Sequence, residues 1–159
     1  MLRESLHDKY YNYIQGTTDS EHAFALFLNL LGNHIYNYTI TDLSNALIST
    51  IKQIEEWAKL AGIVEPSHLN FAVSDGYDIL VSRHVLNSDA EPPSLYISSG
   101  ERIEIRDGMY HMAPIKHHPN AVIIASEPLT GDRSEWQKVK RNHLVLVSPE
   151  LHIQQLPVE

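Results

Sequence analysis

The apolar residues of this chain change their period once, and that change limits the fold more than any other feature. Up to Gly62 they recur at helical spacing, and from Leu69 they alternate. Leu2, Leu6, Tyr10, Tyr13 and Ile14 predict a short amphipathic helix ended near Gly16. A second helix is expected from Thr18 to about Leu31, with Gly32-Asn33 as its stop. In the third, Thr41 is the expected cap, and Leu43, Leu47, Ile48, Ile51, Ile54, Trp57, Ala58 and Ala61 form one stripe ending at Gly62. That stripe reads as core, with a seat for a partner helix as the other reading. Leu69, Phe71 and Val73 then alternate with Asn70, Ala72 and Ser74, and Ser74-Asp75-Gly76-Tyr77-Asp78 supplies a turn before Ile79-Leu80-Val81. This predicts a hairpin. A polar loop spans Asn87 to Pro93, and further short strands are expected at 95–97, 103–105, 121–125, 143–147 and 151–154. Helices in the first half and antiparallel strands in the second predict an α+β domain. No internal repeat and no long linker divides it, so residues 1–159 read as one domain.

Composition narrows the function classes. A chain of 159 residues is long enough to bury a sizeable core. The net charge of -8 argues against a nucleic-acid surface, which needs clustered Lys and Arg. The one basic cluster, Lys138-Val139-Lys140-Arg141, reads as a solvated loop. Cysteine is absent, which excludes disulfides and thiolate metal sites and fits a reducing compartment. No stretch resembles a secretory signal or a membrane span, so a cytoplasmic location without membrane contact is expected. Glycine-rich phosphate loops are missing, and no cofactor is expected.

The densest cluster of chemistry is Gly16-Thr17-Thr18-Asp19-Ser20-Glu21. Thr18-x-x-Glu21 ahead of Phe24, Leu26, Phe27 and Leu28 reads as a capping box. Asp19 falls in the first turn, where the helix dipole favours a carboxylate. It can therefore receive a cationic group such as an α-ammonium, or it can simply stabilise the helix start.

The segment Tyr13 to Leu26 resembles the Thr-Asp-Ser-Glu segment of class II glutamine amidotransferases, which are N-terminal-nucleophile hydrolases. The resemblance continues at Leu69-Asn70-Phe71-Ala72-Val73-Ser74-Asp75-Gly76 with Arg83 beyond it. It returns at Val122-Ile123-Ile124-Ala125-Ser126-Glu127-Pro128-Leu129, Trp136 and Asn142-His143-Leu144-Val145-Leu146-Val147. Within the family it is similar to the amidotransferase subunit of the glutathione-degradation complex. The resemblance implies part of a four-layer αββα sandwich. It also implies hydrolysis of a γ-glutamyl amide, glutamine or glutathione, with Asp19 holding the substrate's α-ammonium and Thr18 fixing the backbone around it. The family's nucleophile is an N-terminal cysteine whose own amine is the base, and its upstream segment supplies a carboxylate-binding arginine and an Asn-Gly oxyanion hole. Residue 2 here is Leu2, and no Asn-Gly pair occurs. The chain thus resembles the C-terminal, truncated portion of such a domain, with no catalytic residue of its own and no activity expected in isolation. A non-catalytic interaction module, using sheet edges left open to a protein partner or a second copy, is the alternative.

Three other groupings invite chemistry. His111, His117 and His118 lie near Asp107, but adjacent histidines on a strand face opposite ways, and no metal site is expected. Ser126 with His143 suggests a serine nucleophile, yet Ser126 sits in Ala-Ser-Glu-Pro without a glycine-flanked elbow. Arg83 offers a fork for a substrate carboxylate, against the alternative of a rim arginine paired with Asp75 or Asp78.

Overall fold

A computed structural model describes residues 2–32, 37–86 and 89–158, in two compact units, Met1–Pro66 and Ser67–Glu159. The first unit is helical. Its helices are α1 (Leu2–Ser5), α2 (Asp8–Tyr11), α3 (Asp19–Leu31) and α4 (Ile40–Leu60). The single helix expected from Leu2 to Ile14 is instead α1 and α2, separated at His7. There the backbone is extended, and its N–H donates to Asn29 Oδ1 of α3 at 2.9 Å. A tertiary hydrogen bond thus replaces one intrahelical bond and breaks the pattern. The cap of α4 is Thr39, not Thr41. Asp42 returns its carboxylate to the Thr39 N–H at 2.9 Å, closing a reciprocal box that Thr41 with Ser44 cannot form. Leu6, Ala25 and Leu26 form a small core with Ile14, Ile54 and Trp57. The proposed stop at Gly32-Asn33 lies half outside the described residues. Gly32 itself has φ +62, as a helix C-terminus favours.

Among the described residues the second unit holds ten strands. One sheet has β3 (Ile79–Leu86) and β9 (His143–Val147) at its centre, with β10 (Ile153–Pro157) beyond β9 and β1 (Ser67–Leu69) and β2 (Ala72–Ser74) both on the far side of β3. β1 and β2 keep one register along β3, since Leu69 faces His84 and Ala72 faces Val81. They are one strand, interrupted where Ser82 puts its hydroxyl into the ladder. The hydroxyl accepts from the Phe71 N–H at 2.9 Å and donates to Leu69 O at 2.7 Å. The expected hairpin therefore stands, with Asp75 closing its turn by accepting from the N–H groups of Tyr77 and Asp78.

A second sheet runs β7 (Ala121–Ala125), β4 (Tyr96–Gly100), β8 (Gln137–Lys138), and β5 (Ile103–Arg106) pairs with β6 (Met109–Met112) in a separate hairpin. Val81, Val145 and Val147 of the first sheet meet Leu95, Ile97 and Val139 of the second in a shared core. The opposite side of β3 and β9 is as fully buried, at Leu80, Ser82, Leu144 and Leu146. That is why β3 reads as a near-continuous apolar run and not as a strict alternation. Strand β6 was not expected. Its signal was Asp107-Gly108, whose φ values of 51 and 77 fit the two-residue turn that joins Arg106 to Met109.

Beside that hairpin, the 3-10 turn Arg133–Glu135 anchors the segment leading to Trp136. The Glu135 carboxylate accepts from the Met112 N–H at 3.0 Å and from His111 Nδ1 at 3.2 Å. Burial pushes the Glu135 pKa up, but the Met112 amide, the Thr130 hydroxyl and His111 outweigh it and hold it below the ordinary glutamate value. This stabilisation is complete above the unfolded glutamate pKa and is lost as pH falls through the lower folded value. In a Trp57→Phe background, Trp136 fluorescence should report release of the segment at acid pH. Glu135→Gln should remove that acid transition.

Candidate functional site at the start of helix α3

Three side chains build the turn ahead of α3. Thr18 has extended φ and ψ, and its hydroxyl accepts from the Glu21 N–H at 3.4 Å, which makes it the N-cap. Glu21 does not return to Thr18, as a capping box would require. Its carboxylate reaches further back, accepting from the Gln15 N–H at 2.7 Å and the Gly16 N–H at 2.8 Å. His22 Nδ1 donates to Thr18 O at 2.9 Å. The Gln15–Thr18 turn is thereby tied to the helix that follows it.

Gly16 leaves room for this carboxylate, because a Cβ there would lie 2.6 Å from Glu21 Oε2. Gly16→Ala must shift the carboxylate away from its bond with the residue 16 amide. We expect Gly16→Ala and Thr18→Ala each to lower stability by about 1 kcal/mol, measured by urea unfolding.

Asp19 is the first residue of this helix and is exposed. Its carboxylate takes no hydrogen bond or ion pair among the described residues. The contrast within the motif is the informative point: Thr18, Glu21 and His22 are committed to the backbone, and Asp19 is not. A carboxylate at a helix start, facing solvent and engaged by nothing, can accept a cation or an ammonium group.

The other groupings resolve differently. Arg83 is neither a rim arginine nor a free fork. It is 2 % exposed, and its guanidinium donates to the carbonyls of Pro92, Pro93 and Val139 and, at 2.6 Å, to Glu91. Every arm of it is occupied, so no substrate carboxylate is held there, and Asp75 and Asp78 are not its partners. The Glu91 carboxyl is held below the usual range, first by the Arg83 hydrogen bond and then by the Lys138 charge. Ser126 and His143 share no hydrogen bond. The His143 Nδ1 donates to Arg141 O at 2.7 Å, and Ser126 O accepts from the Ser94 hydroxyl. His111 is paired with Glu135, and among the described residues no three His, Asp or Glu side chains come together as metal ligands. No helix among the described residues is long and apolar enough to cross a membrane.

No family model matches the chain. It is 37% identical over 161 residues to a protein of Saccharomyces cerevisiae described as probable glutamine amidotransferase DUG3, covering 94% of this chain and 45% of that protein. A solved structure, a glutamine aminotransferase class-II domain protein from Silicibacter pomeroyi, superposes with a TM-score of 0.67 at 22% identity. The match covers 98% of this chain and 59% of that one, and it shows a shared fold. The chain thus spans about half the length of these proteins. Its capped Thr-Asp-Ser-Glu turn, its mixed α+β fold and this identity along nearly its whole length place it in one family: the chain belongs to the class II glutamine amidotransferases.

Proposed function

We propose that this chain is the substrate-ammonium-binding part of a glutamine amidotransferase whose reaction is hydrolysis of a γ-glutamyl amide, glutamine or glutathione, in glutathione breakdown. The observation that carries the reading is Asp19, exposed and unengaged at a helix start where Thr18, Glu21 and His22 are committed to the backbone. In this reading its carboxylate accepts from the α-ammonium of the substrate, Thr18 and Glu21 hold the turn, and the helix dipole favours the ionised Asp19 carboxylate. The two sheets that share a core supply the central layers of a four-layer αββα sandwich, with residues 1–159 acting as one domain. The location is cytoplasmic.

Acyl transfer from a γ-glutamyl amide needs a nucleophile, a base and donors for the developing oxyanion. The chain contains no cysteine, and the Arg83 guanidinium is fully engaged. The nucleophile, its base and the carboxylate-binding arginine come from polypeptide outside these 159 residues. We therefore expect no ammonia release from glutamine, and no glutamate release from glutathione, above a buffer blank when this chain is assayed alone. Turnover by the purified chain that disappears in Asp19→Ala would overturn the assignment of the missing roles.

A second reading, an interaction module without catalysis, is favoured by one observation: among the described residues β2 pairs only with β3 and β7 pairs only with β4. Both strands leave a row of backbone groups open to another chain.

A further inference from the structure

The outer face of the second sheet carries a cavity of about 260 Å³, walled by three segments. Ile123 of β7 is paired with Ser98 of β4, and both alternate with Ile97 and Ile124, which face the shared core. Ile123 therefore points outward, into the cavity. In the β5–β6 hairpin Ile103 pairs with Met112 and Ile105 with Tyr110, which puts Ile103, Tyr110 and Met112 on one face. The segment after β7 adds Leu129 and Trp136. Met112 and Trp136 are buried and form the closed end, while Ile103, Tyr110 and Leu129 stay half-exposed at the mouth.

The polar groups of these walls are engaged with one another. The Trp136 indole N–H donates to the Thr130 hydroxyl at 2.7 Å, and that hydroxyl lies 3.1 Å from the Asp132 carbonyl. Glu135 takes both the Met112 amide and His111 Nδ1. What faces the space is hydrocarbon, aromatic ring and thioether. That excludes two occupants. A buried water needs about two to four polar partners, and these walls have none to give. An added strand needs a row of open backbone groups. On one edge β6 is paired with β5, and on the other Tyr110 is bridged to Thr130 and the Met112 amide is taken. Left empty, the walls forgo their dispersion contacts.

We propose that this cavity is a binding site for a small uncharged molecule that presents one apolar ring, enclosed between β7, the β5–β6 hairpin and Trp136. An apolar cavity of about 150 Å³ stays dry and takes up benzene, so this one admits such a ring with a short alkyl substituent. The Trp136 and Tyr110 rings and the Met112 sulfur favour an aromatic ring over an alkane of equal size. The site lies within the second unit and does not depend on the role given to Asp19.

The test titrates the full chain with toluene and, separately, with phenol, which has nearly the same shape and one hydroxyl. Nitrogen–proton NMR spectra measure and locate the binding. The expected result is saturation with a Kd of about 1 mM or below, with shifts largest at the Trp136 indole N–H and the Met112 and Ile123 amides. Phenol should bind at least about fivefold more weakly, because its hydroxyl enters without a partner. Ile123→Phe fills the space, and Leu129→Asp sets a carboxylate at the mouth. Each should weaken toluene binding about fivefold or more. Leu129 is exposed, so its variant keeps the test valid if Ile123→Phe fails to fold. Leu60→Asp, exposed in the helical unit, should leave toluene binding unchanged. Phenol binding as tightly as toluene, shifts centred on other residues, or no saturation at the solubility limit of toluene each overturn the assignment. The same residues shifting as chain concentration rises without toluene also overturn it, since a side chain of a second copy would then be the occupant.

Discussion

Arg83→Met is expected to cost about 3–5 kcal/mol and to leave little folded protein at 37 °C. The side chain is 2% exposed and its guanidinium ties β3 to two other segments: the Glu91-Pro92-Pro93 loop and Val139 beside β8. Methionine fills much of the volume but donates nothing, so three carbonyls lose a partner, and the two with Nη bonds in buried surroundings regain none from water. Arg83→Lys should recover only part of the loss, because a point charge cannot reach four acceptors in a plane. Glu91→Gln should be far milder, since Glu91 is largely solvated at 67% exposure. Thermal unfolding of the three variants decides the matter. An Arg83→Met chain as stable as the parent would show that the guanidinium network contributes nothing.

Asp19→Asn is expected to leave folding nearly unchanged and to weaken substrate recognition. Asp19 has no partner among the described residues to lose, so stability should shift by no more than about 0.5 kcal/mol. The effect on binding depends on how far the site is desolvated. An ion pair left exposed is worth about 0.2–1 kcal/mol, less than tenfold in affinity. A pair enclosed by the polypeptide that completes the site is worth about 2–4 kcal/mol, or roughly 30- to 1000-fold in kcat/KM. On the proposed function, we expect the smaller figure for these 159 residues assayed alone, read from the ratio of glutamine affinities of the parent chain and Asp19→Asn.

Much of this was legible from residue order. Helices α3 and α4, the hairpin through Asp75-Gly76, and strands β7 and β9 follow from periodicity because enough of their apolar residues recur on one packed face, even though Phe24, Leu30, Leu60 and Ile79 stay exposed. What was not legible depended on choices between nearby groups or on distant partners. Thr39 outcompetes Thr41 because Asp42 lies three residues on. The first helix breaks because Asn29, twenty-two residues away, takes the His7 amide. The role of Arg83 depends on Val139, fifty-six residues on, which no local pattern reveals. At the candidate site the cap was readable, but the reach of Glu21 to Gln15 and Gly16 was not. A capping box and a longer tether have the same residues at the same spacing.

The most direct test is a nitrogen–proton NMR titration of the chain with glutamine, beside N-acetylglutamine, which lacks the α-ammonium charge. The account predicts weak binding, saturating only above about 1 mM, with shifts centred on the Asp19 and Ser20 amides. N-acetylglutamine should bind the chain, and glutamine should bind the Asp19→Asn variant, about two- to fivefold more weakly. Equal affinities for the two compounds, or an affinity for glutamine unchanged in Asp19→Asn, would contradict the claim that this carboxylate holds the substrate's amine.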